Sequence, residues 1–167
     1  LKTSMQKAII VGASSGIGKE LSFQLARNGF QVGITGRRSE NLEAIRKSVP
    51  GQFVARSFDC THANNADELE ALVKELGGLD LLVLSSGTGE LNESLDVTLE
   101  NQTNALNVIA FTEIVGWAYK YFEKQGKGHL VAITSIAALR GSKVAPAYGA
   151  SKAYQLNYLE GLQQKSH

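Results

Sequence analysis

Short apolar runs alternate with amphipathic segments along the whole chain, and Gly, Asn, Asp and Ser punctuate the joins. Ala8 to Val11, Val32 to Thr35, Phe53 to Phe58, Leu81 to Leu84 and Leu130 to Ile133 are continuously apolar or nearly so, rather than alternating. Strands covered on both faces have that pattern, so these runs predict five strands of a parallel sheet. Between them Ile17, Leu21 and Leu25 recur every four residues, and Leu69, Leu72, Val73 and Leu76 form the stripe of a helix lying on a sheet. A further helix is predicted over Leu42 to Lys47, stopped by Pro50-Gly51, and a long one over Thr98 to Glu123. Pro146 suits the first turn of a last helix, because the N–H it lacks has no partner there anyway; that helix carries Tyr148 to about Gln164. Strands alternating with helices through right-handed crossovers give an α/β fold, a doubly wound parallel sheet of the Rossmann type. Such sheets bind ligands at the carboxyl ends of their strands.

Composition narrows the partners. The 167 residues fit one domain, with 17 Lys and Arg against 16 Asp and Glu. A net charge of +1 is too small for the basic field of a nucleic-acid binder. The sequence holds neither the roughly 20-residue apolar run of a membrane span nor, over Leu1 to Gln6, the apolar core of a signal peptide, so a cytoplasmic protein without membrane partners is expected. Cys60 is the lone cysteine, and His62, His129 and His167 lie far apart without ligand-type neighbours, so no metal site is expected.

Chemistry is sought just after each predicted strand. After the first comes Gly12-Ala13-Ser14-Ser15-Gly16-Ile17-Gly18, opening directly into a helix. Glycines let the backbone approach a diphosphate, whose charge meets free N–H groups and the positive end of the helix dipole, while Ser14 and Ser15 add hydroxyl donors. A nucleotide-hydrolase loop is excluded, because Ala13 replaces a required glycine and Glu20 the magnesium-binding hydroxyl. After the second strand the chain reads Thr35-Gly36-Arg37-Arg38, with no carboxylate for a ribose diol. A guanidinium there matches a ribose 2′-phosphate, which favours NADP over NAD with Arg37 as selector and disfavours a methyltransferase, whose cofactor wants an acid at that place. Asp59, after the third strand, either accepts from an adenine amine or starts a turn, and Ser85 and Gly87 follow the fourth.

Ser135 ends the fifth strand, and Tyr148 and Lys152 follow on the last helix four residues apart, hence on one face. A phenol ionises only near pH 10 and is a poor base by itself. An ammonium about 4 Å away, at an effective dielectric of about 20, favours the phenolate by on the order of 4 kcal/mol before screening. Tyr148 is then able to exchange a proton with an alcohol or carbonyl oxygen.

Taken together these residues resemble the short-chain dehydrogenase/reductase family over nearly the whole chain. The resemblance implies that Gly12, Gly16 and Gly18 hold the cofactor, Arg37 selects NADP(H) and Asp59 meets the adenine. It implies Tyr148 as acid/base, Ser135 as holder of the substrate oxygen, and Lys152 as tuner of the tyrosine and ligand of the nicotinamide ribose. The family's fourth catalytic residue, an asparagine on the long helix, is assigned to Asn104 in Thr103-Asn104-Ala105, with Asn101 and Asn107 one alignment slip away. The expected activity is hydride transfer between NADP(H) and a small carbonyl or secondary alcohol, in a homodimer or homotetramer. A second reading, motivated by the family segments expected beyond the catalytic helix and by the altered segment after the fourth strand, is a non-catalytic NADP(H)-binding sensor or assembly module. Where the family usually has Asn-Asn-Ala-Gly, this chain has Leu84-Ser85-Ser86-Gly87, and serine hydroxyls are expected to compensate. The family's fold also continues beyond the catalytic helix with further strands and a substrate loop. With Leu1 rather than methionine at its start, the sequence is expected to be part of a longer protein.

Overall fold

The structure, a computed structural model, describes residues 5–166. Residues 1–4 and His167, on which the expectations about the chain's ends and the third histidine rest, lie outside them. The elements run β1 (Lys7–Val11), α1 (Gly16–Arg27), β2 (Gln31–Gly36), α2 (Ser39–Ser48), β3 (Phe53–Ser57), α3 (Asn65–Leu76) and β4 (Leu81–Leu84). There follow α4 (Val97–Asn104), a π-helical stretch (Ala105–Ala110), α5 (Phe111–Gln125), β5 (His129–Ala132), a 3-10 turn (Ile136–Leu139) and α6 (Pro146–Lys165). All strand pairs are parallel, in the order β3-β2-β1-β4-β5. This is the expected Rossmann-type sheet, and chain direction across it reverses between β1 and β4.

Neighbouring residues of β1 show why the strands read as continuous apolar runs. Ile9 and Val11 join Leu82 and Leu84 under α3 and α5, whereas Ile10 joins Val32, Ile34 and Val83 under α1 and α2. A pleated strand points successive side chains to opposite faces, so a sheet covered on both sides needs apolar residues at every position. Leu69, Leu72 and Leu76 of α3 and Ile114, Val115 and Ala118 of α5 are all buried against the first of these cores. Local signals mark the helix ends. Asn64 caps α3 by accepting the Asp67 N–H, Gly77 closes it in the left-handed region at φ 77°, and Pro146 starts α6.

The long fourth helix is present but not uniform. Helical backbone runs from Val97 to Gln125, interrupted by the wider turn over Ala105–Ala110. There the Phe111 N–H donates to Leu106 O and Val108 O, bypassing Asn107 O, the acceptor four residues back that a regular α-helix would use. The stretch turns Asn107 fully into the protein and leaves Asn104 exposed.

β5 pairs only with β4 among the described residues. Beside β5, Phe122, Leu130, Leu159 and Leu162 line a cavity of about 660 Å³ between α5 and α6. No helix among the described residues is long and apolar enough to cross a membrane. Leu72 is wholly buried where α3 meets the sheet. Leu72→Ala is expected to cost about 2–5 kcal/mol of stability, read as a lower urea midpoint with unchanged slope.

Candidate active site

A cleft of about 950 Å³ opens along the carboxyl ends of β1, β2, β3 and β4. Its floor is the turn between β1 and α1. The N–H groups of Gly12 and Ala13 both donate to Thr35 O, which ties the turn to the end of β2. Gly12 has φ 89°, and a Cβ there would lie 2.5 Å from Ser86 N on the neighbouring strand end. A Cβ at Gly18 would run into the carbonyl oxygen of Gly12. The two glycines therefore let α1 start directly behind β1 and let the β4 end close up beside it. Ser15, at the helix N-cap, makes no side-chain cap, and the N–H groups of the first turn have no intrahelical acceptor. Ile17, 63% exposed, stands over this turn. No acidic residue occupies it, so the turn offers free donors and a positive dipole end to an anion.

Arg37 and Arg38 both line the cleft beside this turn. Arg38 is the one held onto it: its guanidinium donates to the hydroxyls of Ser14, at 3.1 Å, and Ser15. The sequence singled out Arg37, and the long side chain of Arg38, two residues beyond β2, reaches the glycine turn as well. Asp59 takes the turn-forming alternative. Its Oδ1 accepts the Thr61 N–H and hydroxyl at 2.9 and 2.7 Å, and its other oxygen lies 3.5 Å from His62 Nδ1. Partial burial pushes its carboxyl up, yet the Thr61 and His62 contacts outweigh that and leave it below the usual carboxylate range. It still borders the cleft.

Lys152, Tyr148 and Ser135 do not line the cleft; Lys152, only 4% exposed, lies behind Gly87, which does. α6 brings it beneath the segment after β4, with its Nζ 3.5 Å from Ile133 O and 3.3 Å from Gln155 Oε1. A Cβ at Gly87 would come within 3.0 Å of that Nζ, so Gly87 separates the ammonium from the cleft by a bare backbone. Burial pushes the Lys152 ammonium down from the usual lysine range, and no charged neighbour contributes. Tyr148, one turn earlier, places its ring centroid 5.9 Å from the same Nζ. The ring lies flat against Gly89, where a Cβ would overlap it. The Ser135 hydroxyl accepts the Ala137 N–H at 3.1 Å, capping the 3-10 turn and keeping its own proton available to donate.

Asn107, not Asn104, occupies the interior beside this group. Its amide grips the main chain of Thr88 from both sides, Nδ2 donating to Thr88 O at 2.6 Å and Oδ1 accepting the Thr88 N–H at 3.0 Å; Nδ2 also reaches Ser151 Oγ at 3.0 Å. Asn107 is one of the two positions an alignment slip away from Asn104, and it lies in the π-helical stretch, which no apolar periodicity announces. The same contacts revise the expectation for Ser85 and Ser86: Ser85 Oγ rests near Gly18, but the segment after β4 is held by the Ser85 and Ser86 N–H groups, which donate to Val11 O at 2.8 and 3.0 Å, and by Asn107 at Thr88. Gly89 and Gln155 also went unnoticed in the sequence, the first for want of any local signal. Gln155 had one, a polar residue on the inward stripe of α6 three positions after Lys152.

The family model for short chain dehydrogenase matches residues 6–167, and the chain belongs to that family. An uncharacterised oxidoreductase of Myxococcus xanthus (strain DK1622) is 33% identical over 165 residues, covering 95% of this chain and 65% of the relative. Human 17-beta-hydroxysteroid dehydrogenase type 3 is 31% identical over 176 residues, covering 99% and 56%. The chain thus spans just under two thirds of one relative's length and little over half of the other's. The crystal structure of an NADPH-dependent 3-quinuclidinone reductase from Rhodotorula rubra superimposes with a TM-score of 0.84 at 24% identity, over 96% of this chain and 64% of that one; at that identity it speaks for the fold alone.

Gly18→Ala is expected to push the β1–α1 turn open and weaken dinucleotide binding by about tenfold or more, about 1.4 kcal/mol, measured by NADPH fluorescence with the circular dichroism unchanged. Burial and the neighbouring Asp59 charge push the Cys60 thiol up to about 11. At neutral pH it stays protonated, so alkylation by iodoacetamide should be slow in the folded protein and fast in urea.

Proposed function

We propose that this chain forms the cofactor-binding and catalytic part of an NADP(H)-dependent oxidoreductase that interconverts a carbonyl compound and a secondary alcohol. The observation that carries the reading is the buried Lys152 ammonium, beside the Tyr148 ring and behind Gly87, which lines a cleft whose floor is a glycine turn. A buried ammonium is costly unless hydrogen-bonded. Two of its three N–H groups have acceptors in Ile133 O and Gln155 Oε1, which leaves one to face a ligand.

The cleft fits a dinucleotide phosphate. The unbonded first turn of α1 and the Ser14 and Ser15 hydroxyls suit its diphosphate, and Arg37 with Arg38 suits a 2′-phosphate on the adenosine ribose. A bound nicotinamide supplies or takes up the hydride. In the reducing direction Tyr148 donates its phenolic proton to the carbonyl oxygen as the new C–H bond forms, so carbon gains hydride, oxygen gains a proton and the product is the alcohol. Ser135 donates a hydrogen bond to the same oxygen. Lys152 holds positive charge beside the phenol and offers its remaining N–H to the nicotinamide ribose. Asn107 takes the part the sequence assigned to Asn104, fixing the segment after β4 at Thr88. Resemblance to the relatives' printed activities supports the reaction class.

The test is NADPH consumption by the complete protein with a panel of carbonyl compounds. Tyr148→Phe is expected to abolish turnover while NADPH binding stays within about threefold, since the phenol is spent on proton transfer alone; full activity in that variant rejects the mechanism. Arg37→Ala with Arg38→Ala should weaken NADPH by about tenfold or more and leave NADH nearly unchanged, the loss expected of charge-assisted hydrogen bonds. Equal losses for both would remove the NADP assignment.

A further inference from the structure

The inward stripe of α6 is polar where a sheet-packed helix is ordinarily apolar. Ser151, Lys152 and Gln155 are all buried, at 1%, 4% and 1% exposure. Packing alone would be served by a leucine at position 155, and a buried carboxamide is destabilising unless both its ends are bonded. Both are. Nε2 donates to Asn107 O at 2.9 Å, and Oε1 accepts from Lys152 Nζ at 3.3 Å. The two partners also fix which way the amide points, because a carbonyl cannot donate and an ammonium cannot accept.

The acceptor is available because of the backbone. In the π-helical stretch the Phe111 N–H bonds to Leu106 O and Val108 O, which frees Asn107 O of that helical partner. The irregular turn and the polar residue on α6 therefore belong to one arrangement. It joins the main chain of Asn107, whose side chain grips Thr88, to the charge that stands behind Gly87.

We propose that Gln155 is a positioning residue: its carboxamide ties the Lys152 ammonium to the main-chain carbonyl of Asn107 and thereby sets where the charge stands relative to Tyr148 and the cleft. This rests on the catalytic reading of Lys152 given above. The groups facing the ammonium are Ile133 O just after β5, Gly87 from the segment after β4, Asn107 from the π-helical stretch, and Tyr148 and Gln155 from α6. Of these Tyr148 alone is titratable.

The experiment follows the NMR titration of isotope-labelled Lys152 Cε in the complete chain, assigned by its loss in Lys152→Met, beside the pH profile of turnover. Gln155→Leu removes the acceptor, so the Lys152 midpoint should move to lower pH and kcat fall by about tenfold, whereas Gln155→Glu keeps the volume, adds a negative charge and should move the midpoint to higher pH. Opposite displacements are what a merely space-filling residue would not produce. An unchanged midpoint in both variants overturns the inference even where kcat falls. If Gln155→Leu does not fold, the direction of the Gln155→Glu displacement decides. Displacements as expected in a protein that turns over no carbonyl compound would sink the proposed reaction and leave Gln155 in its place.

Discussion

The site depends on two places where the backbone must come closer than any side chain permits. Gly12 lies against the Ser85–Ser86 backbone, and Gly18 against the carbonyl of Gly12. These contacts draw β1, the start of α1 and the end of β4 together at the point where the sheet reverses its winding. A doubly wound sheet has its crevice there because successive crossovers leave on opposite faces. The glycines thus do more than permit a turn: they bring the unbonded N–H groups of α1 to the crevice floor, and they bring the segment after β4 to its wall. With bulkier residues at either place α1 would stand off the sheet, and the dipole end would no longer face the cleft.

From that wall the structure leads inward to charge. Thr88 is gripped by Asn107, Gly87 lies over Lys152, and Gly89 lies under the Tyr148 ring. Each contact uses backbone, or a side chain with both polar ends bonded, so the Lys152 ammonium is held in the interior by acceptors rather than by a counter-ion. A carboxylate partner would neutralise the charge, whereas carbonyl and amide oxygens orient it and leave it net positive toward the phenol. The π-helical stretch belongs to the same arrangement. It costs regular helix bonding around Asn107 and turns both the side chain and the carbonyl of that residue to use.

The five parallel strands were legible because both faces of the sheet are covered: every strand had to be apolar at consecutive positions, and Ile9 and Ile10 serve opposite cores. The glycine turn and the Tyr148, Lys152 spacing were legible because each is local, a few residues whose geometry is set by one turn or one helix face. Asn107 was not, since a helix read at regular pitch gives no reason to prefer it to Asn104, and the wider turn that buries it leaves no mark on the hydrophobic pattern. Arg38 and Gln155 act through contacts with residues 23 and 48 positions away, to Ser15 and Asn107. Separations of that size are set by the tertiary fold, so although the place of Gln155 on the inward stripe of α6 was readable, its partner was not.

In the proposed function a dinucleotide lies across the crevice from the glycine turn to the wall over Lys152. Amide NMR spectra of nitrogen-labelled protein, recorded while NADPH is added, test it most directly. The account predicts that Gly16, Ile17 and Gly18, then Arg38, then Gly87 and Thr88 shift together as one saturable event. Shifts confined to the cavity beside β5, around Leu130 and Leu159, or no shift of the glycine turn at saturating nucleotide, would contradict it.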